Sequence, residues 1–161
     1  MKVLIADDHP TFRSGVRQVL NDLEPGVITR EANDFNEVLE IAGAEQGFDL
    51  VLLDLMMPGM EPIEGLTAVL ARFVGVPVVV VSAIENRRDA LQTIDIGAAG
   101  YIPKTVTEAE FVGMLRVVLG GGICLPRHFP EHVPATTPSR GIEQGRFASG
   151  ANRRKRRWCG R

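Results

Sequence analysis

Four apolar runs in this chain end on, or run into, residues that can do ionic chemistry. Residues 2–7 (KVLIAD) end on Asp7, which Asp8 follows, and residues 48–54 (FDLVLLD) end on Asp54. Residues 77–82 (PVVVVS) end on the hydroxyl of Ser82, with the small Ala83 behind it, and residues 100–103 lead into Lys104. As strands of one parallel sheet, these runs bring their carboxyl ends to one edge, where open α/β sheets bind ligands. Three carboxylates meeting there repel one another, and the usual remedy is a hard divalent cation with oxygen ligands. Mg²⁺ suits a site offering one or two carboxylates, waters and a phosphoryl oxygen. A lysine and a small hydroxyl opposite can receive the remaining phosphoryl oxygens. That arrangement makes sense of one carboxylate acting as a nucleophile toward phosphorus, giving an aspartyl phosphate. No glycine-rich loop follows the first run and no GK[ST] motif occurs, so a dinucleotide site and a P-loop are not expected.

The segments between these runs must place those ends together. Thr11 reads as the N-cap of a helix in which Phe12, Val16, Val19, Leu20 and Leu23 recur at helical spacing. Pro25-Gly26 breaks the chain before a weaker strand at 27–30. Asn33 or Asp34 caps a second helix carrying Phe35, Val38, Leu39, Ile41 and Ala42, and Gly47 ends it. Pro62 opens a third helix to about Arg72, residues 87–95 form a fourth closed by Gly97, and Thr107 caps a fifth. Phe111, Leu115, Val118 and Leu119 face inward from the fifth, and Gly120, Gly121 and Gly122 stop it. A βα unit thus repeats five times. Such alternation predicts a doubly wound α/β fold with five parallel strands and right-handed crossovers. The unbroken apolar runs suit strands covered on both faces.

The 161 residues are 45% apolar and 24% charged, ordinary values for a globular chain. No apolar run reaches 18 residues, so no membrane span is expected. Asp7 comes too early for a secretory signal, and two cysteines make no disulfide framework, which points to the cytoplasm. The net charge of −2 conceals a split: residues 1–122 hold 9 basic and 18 acidic side chains, residues 123–161 hold 9 and 2. We therefore expect an acidic domain at 1–122 and a basic, proline-containing, disordered tail at 123–161. Within the tail, RRKRR at 153–157 followed by Trp158 reads either as a solvated basic segment or as a non-specific contact to nucleic-acid phosphates. Cys124, His128, His132 and Cys159 do not have zinc-site spacing.

Together, Asp7-Asp8, Asp54 in DLMMPGM, Ser82-Ala83 and Lys104 in GAAGYIPK resemble the receiver domain of bacterial two-component response regulators, across residues 2 to about 120. DDHPTFRSGVRQVL and GAAGYIPK resemble the NarL/LuxR-type subfamily. The resemblance implies a flavodoxin-like sheet of strand order 2-1-3-4-5. It implies Asp54 as phosphoacceptor and a Mg²⁺ site made by Asp8, Asp54 and the Met56 backbone carbonyl, with Asp7 joining directly or through water. It implies Lys104 and Ser82 on the phosphoryl oxygens, and Tyr101 as an aromatic that changes rotamer as Ser82 moves. The implied partner is a sensor histidine kinase, and a second copy of the chain is a candidate partner through the first and last helices. The implied role is a phosphorylation-controlled switch, not an enzyme, in transcriptional regulation.

Two departures stand out. Glu61-Pro62 occupies a place where family members often have Asp-Gly, and Thr105, not proline, follows Lys104. The 39 residues after Gly122 are too few for the four-helix DNA-binding domain of this subfamily, so specific DNA binding is not expected of this chain. Two other readings share the fold. A phosphotransferase or phosphatase using an aspartyl phosphate needs an acid two residues after the nucleophile, where Met56 stands. A phosphorylation-independent interaction domain has no use for the acid pair and acceptor that this chain retains. We further expect the apolar Met56 and Ile84 to flank the phosphoryl group and hinder attacking water.

Overall fold

The computed structural model describes residues 1–127. Within them the elements run β1 (Lys2–Ala6), α1 (Pro10–Leu23), β2 (Ile28–Ala32), α2 (Phe35–Ala44), β3 (Leu50–Leu53), α3 (Pro62–Arg72), β4 (Val78–Ser82), α4 (Arg87–Ile96), β5 (Gly100–Pro103) and α5 (Glu108–Leu119). The strands are parallel in the order β2-β1-β3-β4-β5, the expected doubly wound sheet. No helix among the described residues is long and apolar enough to cross a membrane.

Side-chain alternation along the strands builds two cores. Val3, Ile5, Leu50, Leu52, Val79, Val81 and Ile102 pack with Val16 and Leu20 of α1 and Phe111, Leu115 and Val118 of α5. Leu4, Ala6, Val51, Leu53, Val78 and Val80 pack on the other face with Val38 of α2, Leu66 and Val69 of α3 and Ala90 of α4. Burying a Leu or Val side chain stabilises by about 1.5–3 kcal/mol, so these two layers hold the sheet edge in place. Phe111, Leu115 and Val118 face inward as their spacing predicts, whereas Leu119, expected to face inward with them, is 39% exposed.

Several boundaries differ from the sequence reading. α1 begins at Pro10 with His9 as its N-cap, not at Thr11, because the locked φ of proline and its missing N–H suit a first helical turn. α2 ends at Ala44, and Gly47 lies beyond it in the connection at φ 76°. β2 runs to Ala32 because it follows β1 residue for residue, from Lys2↔Ile28 to Ala6↔Ala32. β1 and β3 stop at Ala6 and Leu53, so Asp7 and Asp54 stand one residue past the strands. Packing also continues past Gly122. Cys124 is buried, its N–H donates to the Ala99 carbonyl, and its carbonyl accepts from Tyr101. Residues 128–161, which carry most of the basic segment, lie outside the described residues.

Candidate functional site

The last rungs of the sheet set the site. The Asp7 N–H donates to the Ala32 carbonyl (3.1 Å), the Asp54 N–H to Ala6 (2.8 Å) and the Lys104 N–H to Ser82 (2.8 Å). These bonds carry the ladder one residue beyond each strand and bring the side chains of Asp7, Asp54 and Lys104 together. Lys104 Nζ donates to Asp54 Oδ2 at 2.7 Å and lies 2.6 Å from Asp7 Oδ2. Both acids are nearly inaccessible, at 1% and 2% exposure. β1 and β3 are neighbours although β2 lies between them in sequence, so this crevice is the point where strand order reverses.

Electrostatics here is a contest that the acids win. Burial works to lower the Lys104 pKa, but hydrogen bonds and charge from Asp54 and Asp7 raise it above the ordinary lysine value. The ammonium also sits 5.0 Å above the Phe12 ring, a favourable cation–π position. One cation thus serves two buried carboxylates, and Asp8, partly exposed, adds a third. Asp7 Oδ2 and Asp8 Oδ1 are buried atoms that face Lys104 Nζ at 2.6 Å and His9 Nδ1 at 2.7 Å. Ligand atoms of Asp7, Asp8, His9 and Asp54 lie within 4.8 Å of one another. Three carboxylates that converge in one crevice around a single lysine fit a divalent cation.

The loop after Asp54 is tied down. Met57 and Met60 are buried, the Phe35 N–H donates to the Pro58 carbonyl, and the Met56 N–H donates to Asp54 Oδ1 at 2.9 Å. Met56 itself is left 57% exposed. Pro62, the departure noted above, takes the first turn of α3. On the β4 side, Ser82 is buried and its Oγ accepts from the Ile84 N–H at 3.0 Å. Tyr101 is 1% exposed, and its hydroxyl donates to the Ile84 carbonyl and also interacts with Ser82. Burial raises the Tyr101 pKa, the Ser82 hydrogen bond lowers it, and nearby Asp89, Asp54 and Glu85 raise it, with a net upward shift. Met56, Ile84, Ser82 and Tyr101 line one pocket of about 210 Å³ between α3 and α4. The peptide bonds of the described residues are all trans.

The sequence reading assigns no chemistry to two residues that the structure places at the site. His9 packs its imidazole against Asp7 and Asp8. Arg13 is buried among the apolar residues of α1, where it donates to the Asp7 carbonyl at 2.6 Å and to Glu31 Oε2 at 2.9 Å. It holds the peptide that aims the acid pair. The one signal in the sequence is a charged residue at the i−3 position to Val16 on an apolar helix face.

The family model for the response regulator receiver domain matches residues 3–116. The glycerol metabolism activator of Pseudomonas putida is 38% identical over 125 residues, 78% of this chain and 57% of that protein. The nitrate/nitrite response regulator NarP of Escherichia coli (strain K12) is 36% identical over 104 residues, 64% of this chain and 47% of that protein. The chain spans about half the length of the curated relatives it matches. Among solved structures, the signal receiver domain of the putative response regulator NarL from Mycobacterium tuberculosis has a TM-score of 0.63 and 34% identity, covering 74% of this chain and 96% of that one. A LuxR family DNA-binding response regulator from Silicibacter pomeroyi has a TM-score of 0.69 and 27% identity, covering 79% and 98%.

Proposed function

The chain belongs to the response regulator receiver domain family, and from that premise we propose that Asp54 accepts a phosphoryl group from the phosphohistidine of a sensor histidine kinase. The observation that carries this reading is the convergence of Asp54 Oδ2 and Asp7 Oδ2 on one lysine, at 2.7 and 2.6 Å, beyond the ends of β1, β3 and β5. In the transfer, the donor's P–N bond breaks as a bond forms between phosphorus and an Asp54 oxygen, and the leaving imidazole takes up a proton. Lys104 then exchanges its ion pair with Asp54 for one with a phosphoryl oxygen. Asp8, Asp54 and the Met56 carbonyl would hold Mg²⁺, with Asp7 joining directly or through water. Bound there, Mg²⁺ offsets the negative charge of the phosphoryl oxygens. Ser82 gives up its bond from the Ile84 N–H and its hydroxyl donates a hydrogen bond to a phosphoryl oxygen. Because Tyr101 bonds the Ile84 carbonyl, movement of this loop reaches α4 and β5 through one aromatic side chain. The chain is then a phosphoacceptor switch, located in the cytoplasm, that alters partner binding or self-association in transcriptional regulation.

Intact mass after incubation with MgCl₂ and a small acyl phosphate tests this. A labile adduct of one phosphoryl group is expected on the native chain and none on Asp54→Asn. No adduct on a folded native chain, or an equal adduct on the variant, removes Asp54 from the role.

A further inference from the structure

Away from the acid crevice, α5 and the chain that returns along β5 enclose a groove of about 530 Å³. Buried Cys124 forms part of its base, and Val117 and Ile123, 48% and 63% exposed, leave an apolar rim open to water. Two carboxylates share the lining: Glu85, between β4 and α4, and Glu110, in the first turn of α5. Both are held in place by hydrogen bonds, Glu85 from the Thr105 hydroxyl and Glu110 from the Thr107 N–H. Arg127, the last described residue, also lines the groove, so the following chain leaves from the groove itself. An exposed apolar rim beside fixed acids marks an interaction surface for a ligand that is apolar and cationic at once.

The chain carries such a ligand. Residues 153–158 read Arg-Arg-Lys-Arg-Arg-Trp, five cations beside the only tryptophan of the protein. Tryptophan and arginine are the side chains that most often dominate binding at interfaces. Charge favours the pairing, because residues 1–127 hold 10 basic and 18 acidic side chains and residues 128–161 hold 8 and 2. Reach does not oppose it. Trp158 follows Arg127 by 31 positions, and at up to about 3.3 Å per residue such a connection spans the whole groove. Attachment also keeps the segment near the groove at any protein concentration, an advantage that a second copy lacks.

We propose that residues 153–158 dock in this groove of their own chain, with the Trp158 indole against Val117 and Ile123 and the neighbouring guanidinium groups on Glu85 and Glu110. The groove is then covered by the protein itself, and any other partner of this face has to displace the basic segment.

Trp158 reports the contact in the whole, unmodified chain, because no other tryptophan contributes to its fluorescence. The native protein should emit at shorter wavelength than the urea-unfolded protein and should be less open to quenching by acrylamide. Ile123→Lys and Val117→Lys each put a cation on the exposed rim, and each should return emission and quenching to the unfolded values. Thermal melting of both variants establishes that they remain folded. Native emission equal to that of the unfolded chain overturns the proposal, and so does a shift that both folded variants retain. A shift that fades on dilution assigns the segment to a second copy, and one that appears only on adding duplex DNA assigns it to nucleic-acid phosphates. Either result overturns docking within the chain.

Discussion

Lys104 is the only cation that touches both buried acids among the described residues. Removing it leaves two carboxylates facing each other out of water, and breaking such a pair costs about 3–5 kcal/mol. Lys104→Met should lose stability of that order in urea unfolding at neutral pH with chelator present, and millimolar MgCl₂ should return part of it. An unchanged midpoint would show that the acids find other partners. The pH dependence has a definite sign. The folded pKa of Lys104 is raised, so its contribution is fully present below the ordinary lysine value of about 10.4 and is lost only as pH rises through the higher folded value. Met56 and Ile84 make a second test at this scale, since both line the pocket that holds Ser82 and Tyr101 and both are exposed. Met56→Asn and Ile84→Glu should each hasten loss of the phosphoryl group, about tenfold for each ~1.4 kcal/mol of barrier removed. Unaltered decay in both variants would end the idea that these side chains hinder water.

At the scale of elements, the N-cap of α5, Thr107, stands three positions after Lys104, so the cap steadies the chain that carries the lysine. Thr107 Oγ1 accepts from the Glu110 N–H at 3.3 Å, and Glu110 Oε2 accepts from the Thr107 N–H at 2.9 Å, a complete capping box. Thr107→Ala should cost about 1 kcal/mol in thermal or urea unfolding. The hydrogen bonds from Thr107, its backbone N–H first, lower the Glu110 pKa. Its contribution is therefore present above the ordinary glutamate range and fades as pH falls through the depressed folded value. Glu110→Ala should destabilise at neutral pH, and its difference from the native protein should shrink as pH falls below the ordinary glutamate range and through the depressed folded value. A difference that persists in acid would mean that charge has no part in the cap. All four helix-capping signals in Asp34, Pro62, Gly97 and Thr107 were legible because capping is local chemistry. The start of α1 was misread because threonine is the commoner cap, while the proline before it had already set the first turn.

At the scale of the whole molecule, the packed unit includes the segment after α5. A Cβ built on Gly100 would lie 2.3 Å from Cys124 Sγ, so the absence of a side chain at Gly100 is what lets this segment lie against β5. Gly100→Ala should cost about 1–3 kcal/mol by overpacking, and Cys124→Gly in the same chain should return much of it. Additive losses in the double variant would show that the two residues do not compete for space. Burial raises the Cys124 thiol pKa to about 11 despite the hydrogen bond from the Tyr101 backbone, so it stays a neutral, packed group at physiological pH.

The sequence by itself determined the order and type of the elements and the identities of Asp7, Asp8, Asp54, Ser82 and Lys104. Apolar period, strand-end acids and turn residues are properties of neighbouring positions, and neighbouring positions are what a chain displays. Tertiary structure alone decided which of those residues touch. Asp54 and Lys104 are 50 positions apart and meet only because β1, β3, β4 and β5 lie side by side in one register. The same holds for Arg13, whose buried guanidinium needs the Asp7 carbonyl and Glu31 from two different strand ends. It holds for Cys124, which reads as the start of a tail until β5 offers it a free edge. Contacts of this kind are set by strand order and register, which no local pattern encodes.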